Sequence, residues 1–151
     1  MTELAFTLRP ARDADRSFLF DLYADTLRAH VEWAWGWDEE WQRRNMAAAL
    51  PLAGWRIVLL SGHDAGALHV AQDATAHHLH LLLLRPAFQR RGLGSQLIAG
   101  LLARARGEGK ALTLKVIKTN PARRLYDRLG FVVTGEDAVS WDMRHGGAPV
   151  G

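Results

Sequence analysis

The chain is 151 residues long, with 48% apolar and 23% charged residues, a size and mixture that let one domain bury a core without staples. It has no cysteine, which excludes disulfides, thiolate metal sites and a cysteine nucleophile and fits a reducing, cytoplasmic setting. A net charge of +3 is too small to point to nucleic acid, and the longest apolar run, from Leu79 to Leu84 and broken by His80, is too short to span a bilayer, so neither partner is expected.

In chain order, the alternation from Leu4 to Leu8 predicts a first strand, ended by Pro10. Asp13 is placed to cap a helix whose stripe is Phe18, Leu19, Leu22, Tyr23, Thr26 and Leu27. Four tryptophans follow around Gly36, and a second helix is expected from about Asp38 to Leu50, stopped by Pro51. Trp55 to Leu60 and Gly66 to Gln72 read as a hairpin around Ser61-Gly62-His63-Asp64. His77 to Leu84 is apolar enough at its end to be a central strand.

Next come a glycine-rich turn and a helix marked by Leu93, Leu97, Ile98, Leu101, Leu102 and Ala105, ending near Gly107 or Gly109. Leu112 to Ile117 is the following strand. Asn120 caps a short helix with Pro121 at its first position, striped by Ala122, Leu125, Tyr126 and Leu129. Phe131 to Val133 and Val139 to Met143 form a last hairpin. One α/β (α+β) domain over residues 1–145 is expected, in the order β-α-α-β-β-β-α-β-α-β-β, with a frayed tail over 146–151. The opening residues lack a basic region followed by an apolar run, so no signal peptide is expected.

Charge is unevenly spread. Arginines and lysines crowd the stretch from Arg85 to Arg128, while Glu32, Asp38, Glu39 and Glu40 cluster in the first third. A polyanion suits the first region and a cation the second. For most of these residues taken singly, a solvated helix face accounts for the charge.

The strongest chemical signal is the apolar strand running through Arg85-Pro86-Ala87-Phe88 into Gln89-Arg90-Arg91-Gly92-Leu93-Gly94-Ser95. Glycines let a ligand approach the backbone, and the first amides of a helix favour an anion, so the turn can cradle phosphate. The Walker lysine and the three-glycine dinucleotide fingerprint are both absent. Alone, such a turn is equally a tight strand-to-helix connection.

A second block accompanies it: Asn120-Pro121-Ala122-Arg123-Arg124-Leu125-Tyr126-Asp127-Arg128-Leu129-Gly130-Phe131. Together the two blocks resemble the GNAT superfamily of N-acetyltransferases, whose cofactor motif runs Gln or Arg, two residues, Gly, one residue, then Gly or Ala. Gln89, Gly92 and Gly94 fill its fixed positions. The resemblance extends over Leu4 to His145 and implies a GNAT-like mixed, mostly antiparallel sheet flanked by helices.

The resemblance also implies roles. Acetyl-CoA is the acyl donor, and no metal takes part. The backbones of Leu82 and Leu84 pair with the pantetheine arm like an added strand. Gln89, Arg90, Arg91, Gly92, Leu93, Gly94 and Ser95 hold the pyrophosphate, and Asn120 contacts the pantetheine end. Tyr126 protonates the departing thiolate, although its stripe is also a packing stripe. Many relatives take a base from a carboxylate on the strand entering the loop. This chain has no Asp or Glu from Ala74 to Ser95, but it has His77, His78 and His80.

Strand alternation puts His78 and His80 on one face with Leu82 and Leu84, and His77 on the other. His78 is the first candidate base and His80 the second; exposed polar residues at a strand's start are the plain alternative. Glu32, Trp33, Trp35 and Trp37 are candidate acceptor contacts, suited to a cation with an apolar body, and Trp37 and Trp41 could share a face. The function expected is acetyl-CoA-dependent transfer to a primary amine of a small molecule or peptide, directly in a ternary complex, by a monomer or homodimer. The alternative is a non-catalytic module that binds and senses acyl-CoA.

Overall fold

The computed structural model describes residues 5–147, so Leu4 of the expected first strand and positions 148–151 of the expected tail lie outside the described residues. The elements follow the expected order: β1 (Phe6–Pro10), α1 (Arg16–Trp35), α2 (Glu39–Ala49), β2 (Trp55–Leu60), β3 (His63–Gln72), β4 (Ala76–Leu84), α3 (Leu93–Gly107), β5 (Ala111–Ile117), α4 (Arg123–Arg128), β6 (Val132–Glu136) and β7 (Ser140–Gly146). The sheet has seven strands in the order β1-β2-β3-β4-β5-β7-β6, so apolar β4 is its middle strand. The chain divides into two compact units. One holds the chain up to His69 together with Leu81–Leu93; the other holds Val70–His80 and the chain from Gly94.

In the first unit, β1 lies antiparallel to β2, with Phe6 opposite Leu60 and Pro10 opposite Arg56. β2 turns into β3 through Ser61-Gly62, and the register shifts between Val58 and Leu59. α1 delivers Leu19 and Leu22 to a core with Trp55, Ile57, Ala67 and Leu83. Burying each large apolar side chain there contributes roughly 1.5–3 kcal/mol. Gly66 lets β3 come close to β4, since a Cβ at that position would collide with the carbonyl of Leu83.

The helix starts differ in detail from the sequence reading. Asp13 does not cap α1; it opens a 3₁₀ turn, Asp13–Asp15, and binds the Arg16 guanidinium at 2.9 Å. Asp15 takes the organising role, accepting from the Arg12 amide at 2.8 Å and from both terminal nitrogens of Arg9 at 2.8 and 3.0 Å. α2 starts about where expected, and the structure adds a cap: Asp38 accepts from the Trp41 amide at 2.9 Å, worth about 1 kcal/mol.

In the second unit, β4 pairs in parallel with β5, Ala76–Leu79 against Ala111–Leu114, and then runs on through His80–Leu84. Parallel neighbours need a crossover, which α3 supplies. β7 inserts antiparallel between β5 and β6. It reaches Gly146, opposite Ala111, further than the sequence pattern suggests, because β5 offers a partner that hydropathy alone cannot show.

Candidate functional site

At the end of β4 the chain makes a 3₁₀ turn over Pro86–Phe88. The Arg85 amide donates to the Ala65 carbonyl at 2.9 Å, and its guanidinium lies 5.0 Å above the Phe18 ring. The side-chain amide of Gln89 donates back to the Leu84 carbonyl at 2.8 Å. Arg90 then takes a left-handed conformation, φ 61°, and Gly92 another, φ 81°. A Cβ at Gly92 would meet nothing within 4 Å, so glycine is required there by backbone conformation and not by crowding. Leu93, 1% exposed, anchors the start of α3 in the core. The first amides of a helix lack intrahelical partners, so those at the start of α3 are available to an anion. The loop fits a pyrophosphate on these grounds.

Asn120 ends a turn after β5. Its Oδ1 accepts from the Ala122 amide at 2.9 Å, and its carbonyl accepts from Arg123 at 3.4 Å. Pro121 and Ala122 therefore belong to the turn, and α4 begins at Arg123, later than the sequence suggests. Tyr126, 8% exposed, meets Phe131 edge-on at 5.8 Å between centroids. Burial pushes its phenol up to about 12, so it keeps its proton through the neutral range.

The three histidines of β4 separate as alternation requires. His77 is 4% exposed, with Nε2 3.3 Å from the Glu108 carboxylate but not aligned for a hydrogen bond. His78 and His80 are on the other face, with ring planes within 9° and centroids 6.5 Å apart. His78 is held at both nitrogens, Nε2 by Asp73 Oδ2 at 2.7 Å and Nδ1 by Thr113 Oγ1 at 2.5 Å. His80 has its pKa lowered, by partial burial first and by neighbouring His78 second.

Sequence reasoning missed both partners of His78. Asp73 stands one residue before the stretch searched for a carboxylate, and the turn folds it back. Its Oδ1 accepts from the amides of Thr75 and Ala76 and from the Thr75 hydroxyl, at 2.8, 2.9 and 3.1 Å. An Asp two residues before a Thr at a turn is the signal that could have found it. Thr113 is brought opposite His78 by the β4–β5 register, which no local pattern encodes.

The acceptor wall is only partly as expected. Trp33, Trp35 and Trp41 are 53%, 61% and 51% exposed. Trp37 turns inward, stacked on Tyr23 at 5.7 Å and near Phe20 at 6.3 Å, with Arg28 5.4 Å from its ring. It does not share a helical face with Trp41, because it precedes α2. Glu32 is exposed, 4.0 Å from Arg28.

The acetyltransferase (GNAT) domain family matches residues 56–145, from β2 into β7. The chain belongs to this family of acyltransferases. No curated protein sequence matches it. Among solved structures, the PaiA N-acetyltransferase of Thermoplasma acidophilum, in complex with coenzyme A, is similar at 15% identity and TM-score 0.73, over 95% of this chain and 99% of its own. An acetyltransferase of Thermus thermophilus is similar at 21% identity and TM-score 0.73, over 97% and 99%. The N-acetylglutamate synthase of Neisseria gonorrhoeae, complexed with coenzyme A and N-acetyl-glutamate, shares the fold at 17% identity and TM-score 0.66, over 98% of this chain and 36% of its own.

Against this GNAT background, no group of three or more His, Asp or Glu among the described residues is placed to hold a metal. None of the described helices is long and apolar enough to cross a membrane.

Proposed function

We propose that the chain is an acetyl-CoA-dependent N-acetyltransferase that moves the acetyl group directly to a primary amine of a small molecule or peptide. Acetyl-CoA supplies the activated acyl group. Backbone groups of Leu82 and Leu84 bind its pantetheine arm, and Asn120 the end of that arm. Gln89, Arg90, Arg91, Gly92, Leu93, Gly94 and Ser95 bind the pyrophosphate. Tyr126, which burial keeps protonated, donates a proton to the leaving thiolate. An imidazole on β4, His78 with His80 beside it, takes the proton that the amine must lose. Glu32, Trp33 and Trp35 face the acceptor from α1, with Trp37 holding their helix end in place.

The observation that carries this reading is the loop from Gln89 into α3. It combines left-handed backbone at Arg90 and at the open glycine Gly92 with a helix start, features that suit a pyrophosphate. The test joins two measurements. Acetyl-CoA should raise the melting temperature, because a ligand of the folded state stabilises it. A panel of amines with acetyl-CoA should then include one that releases free thiol. Thermal stabilisation without thiol release from any amine would favour a sensing module, and no stabilisation at millimolar acetyl-CoA would remove the reading altogether.

A further inference from the structure

A carboxylate, an imidazole and a hydroxyl stand in line in the second unit: Asp73 Oδ2 at 2.7 Å from His78 Nε2, and His78 Nδ1 at 2.5 Å from Thr113 Oγ1. Resting on the acetyltransferase reading, we propose that Thr113 relays the acceptor's proton to His78, and that Asp73 is the positioning residue that fixes His78 for this task.

The argument begins with donors and acceptors. An ionised carboxylate only accepts, so the nitrogen facing Asp73 must carry the hydrogen. Asp73 stays ionised, because it receives hydrogen bonds from His78 first and then from the amides of Thr75 and Ala76 and the Thr75 hydroxyl. A neutral His78 is therefore the Nε2–H tautomer, and its Nδ1 lone pair accepts from the Thr113 hydroxyl. Neither ring nitrogen is open to an amine directly. Thr113 Oγ1, however, keeps lone pairs of its own, and its residue is half-buried, not sealed.

The step balances without any further reagent. The ammonium nitrogen of the acceptor gives a proton to Thr113 Oγ1 as Thr113 passes its hydroxyl proton to His78 Nδ1. The amine regains its lone pair, Thr113 ends as it began, and the imidazolium is paired with the Asp73 carboxylate. No bond to carbon forms or breaks, so Thr113 is a conduit and not a nucleophile. Threonine's β-branched side chain, stiff at χ1 on a paired strand, suits a conduit that must not wander.

Charged and titratable groups stand near the cluster on β4, β5 and β7. On β4, His80 lies 6.5 Å away, ring parallel to His78. On β5, Lys115 follows Thr113 on the same face but is paired with Asp142 at 3.4 Å and Asp137 at 3.8 Å. On β7, Arg144 stands directly opposite Thr113. Asp137 and Asp142 are engaged by Lys115, and Asp73 is the carboxylate in hydrogen-bond contact with His78, so it is the anion that steadies the imidazolium.

The test uses Thr113→Val, which keeps the shape and removes the hydroxyl, and Thr113→Ser, which restores it. With a responsive amine, Thr113→Val should lower kcat about 10²-fold and flatten the pH dependence of activity, with KM for acetyl-CoA unchanged. Thr113→Ser should recover most of that rate and the pH limb, which a purely structural role would not predict. Asp73→Asn should lower kcat in the same way without moving KM for acetyl-CoA. Independently of activity, nitrogen NMR of the unliganded protein should find the hydrogen of His78 on Nε2. Native rate and pH profile in Thr113→Val, or a hydrogen on Nδ1 of neutral His78, would overturn the relay. If the unaltered protein acetylates nothing and is not stabilised by acetyl-CoA, the acetyltransferase reading fails instead, and the NMR measurement still decides the proton arrangement.

Discussion

Gln89 reaches back over its own turn to donate a hydrogen bond to the carbonyl of Leu84 at 2.8 Å, so the loop that opens α3 is tied to the strand that leads into it. The bond spans five residues and closes the turn over Pro86–Phe88, just before Arg90 and Gly92, where the backbone is left-handed. Gln89 thus acts as a brace.

Gln89→Leu removes the brace and keeps the bulk. A net hydrogen bond of about 1 kcal/mol corresponds to roughly five- to tenfold in binding. Acetyl-CoA affinity, measured by calorimetry, should fall by that factor while the melting temperature of the unliganded protein changes little. Undiminished affinity would show that the loop keeps its shape without the brace.

Tyr126 offers a sharper test, because two readings of the same buried ring diverge. As a proton donor, Tyr126→Phe should lower turnover about 10²-fold and leave acetyl-CoA affinity nearly intact. As a packing residue only, the change should leave turnover alone, since the ring keeps its edge contact with Phe131. The pH dependence follows from burial. The phenol titrates at about 12 in the folded protein against an ordinary value near 10. Its contribution to stability is present below the ordinary value and is lost as pH rises toward 12. Tyr126→Phe should therefore lose less stability than the unaltered protein between these limits, as read by thermal melts across the alkaline range.

The order of elements was legible in the sequence because each carried its own period or punctuation. Leu19 and Leu22 mark the buried face of α1, Pro51 follows the end of α2, and Pro86 and Gly92 bracket the turn into α3. The two motif blocks were legible for the same reason, being local. What local pattern could not give was pairing between distant strands. Thr113 meets His78 only because β4 and β5 lie parallel in one register, across the whole of α3. Trp37 was also illegible, since a tryptophan between two helices can face water or the core, and only the positions of Tyr23 and Phe20 decide.

Asp15 and Arg9 give a prediction in acid. Two hydrogen bonds from Arg9, above all, and the Arg12 amide hold the Asp15 carboxyl at about 2, below its ordinary value. A lowered carboxylate contributes stability that is present above its unfolded pKa and disappears as pH falls through the folded one. Arg9→Gln should cost about 1 kcal/mol near neutrality, the upper end for a surface pair, because the two side chains are only 25% and 14% exposed. The difference in melting temperature between the two proteins should shrink as pH is lowered from 5 to about 2. A difference that stays constant over that range would place the role of Arg9 in packing and not in the ion pair.

The tryptophans around Gly36 separate stability from substrate contact. Trp37 stacks on Tyr23, beneath Arg28 and beside Phe20, so its truncation removes a large buried surface. Trp37→Ala should destabilise by about 3 kcal/mol, near the low end for a buried aromatic because the residue is only half-buried. Trp35, 61% exposed at the last position of α1, has little packing to lose. Trp35→Ala should leave the melting temperature within a degree or two, as surface changes do. If the exposed rings and Glu32 bind a cationic acceptor, Trp35→Ala should still raise KM for the amine several-fold, as expected for loss of a cation–π contact of about 1 kcal/mol, and leave KM for acetyl-CoA where it was. Trp33→Ala, on the same helix end and also exposed, serves as a second reading of the same surface. Unchanged amine KM in both variants would move the acceptor away from this end of α1, whatever the fate of Trp37→Ala.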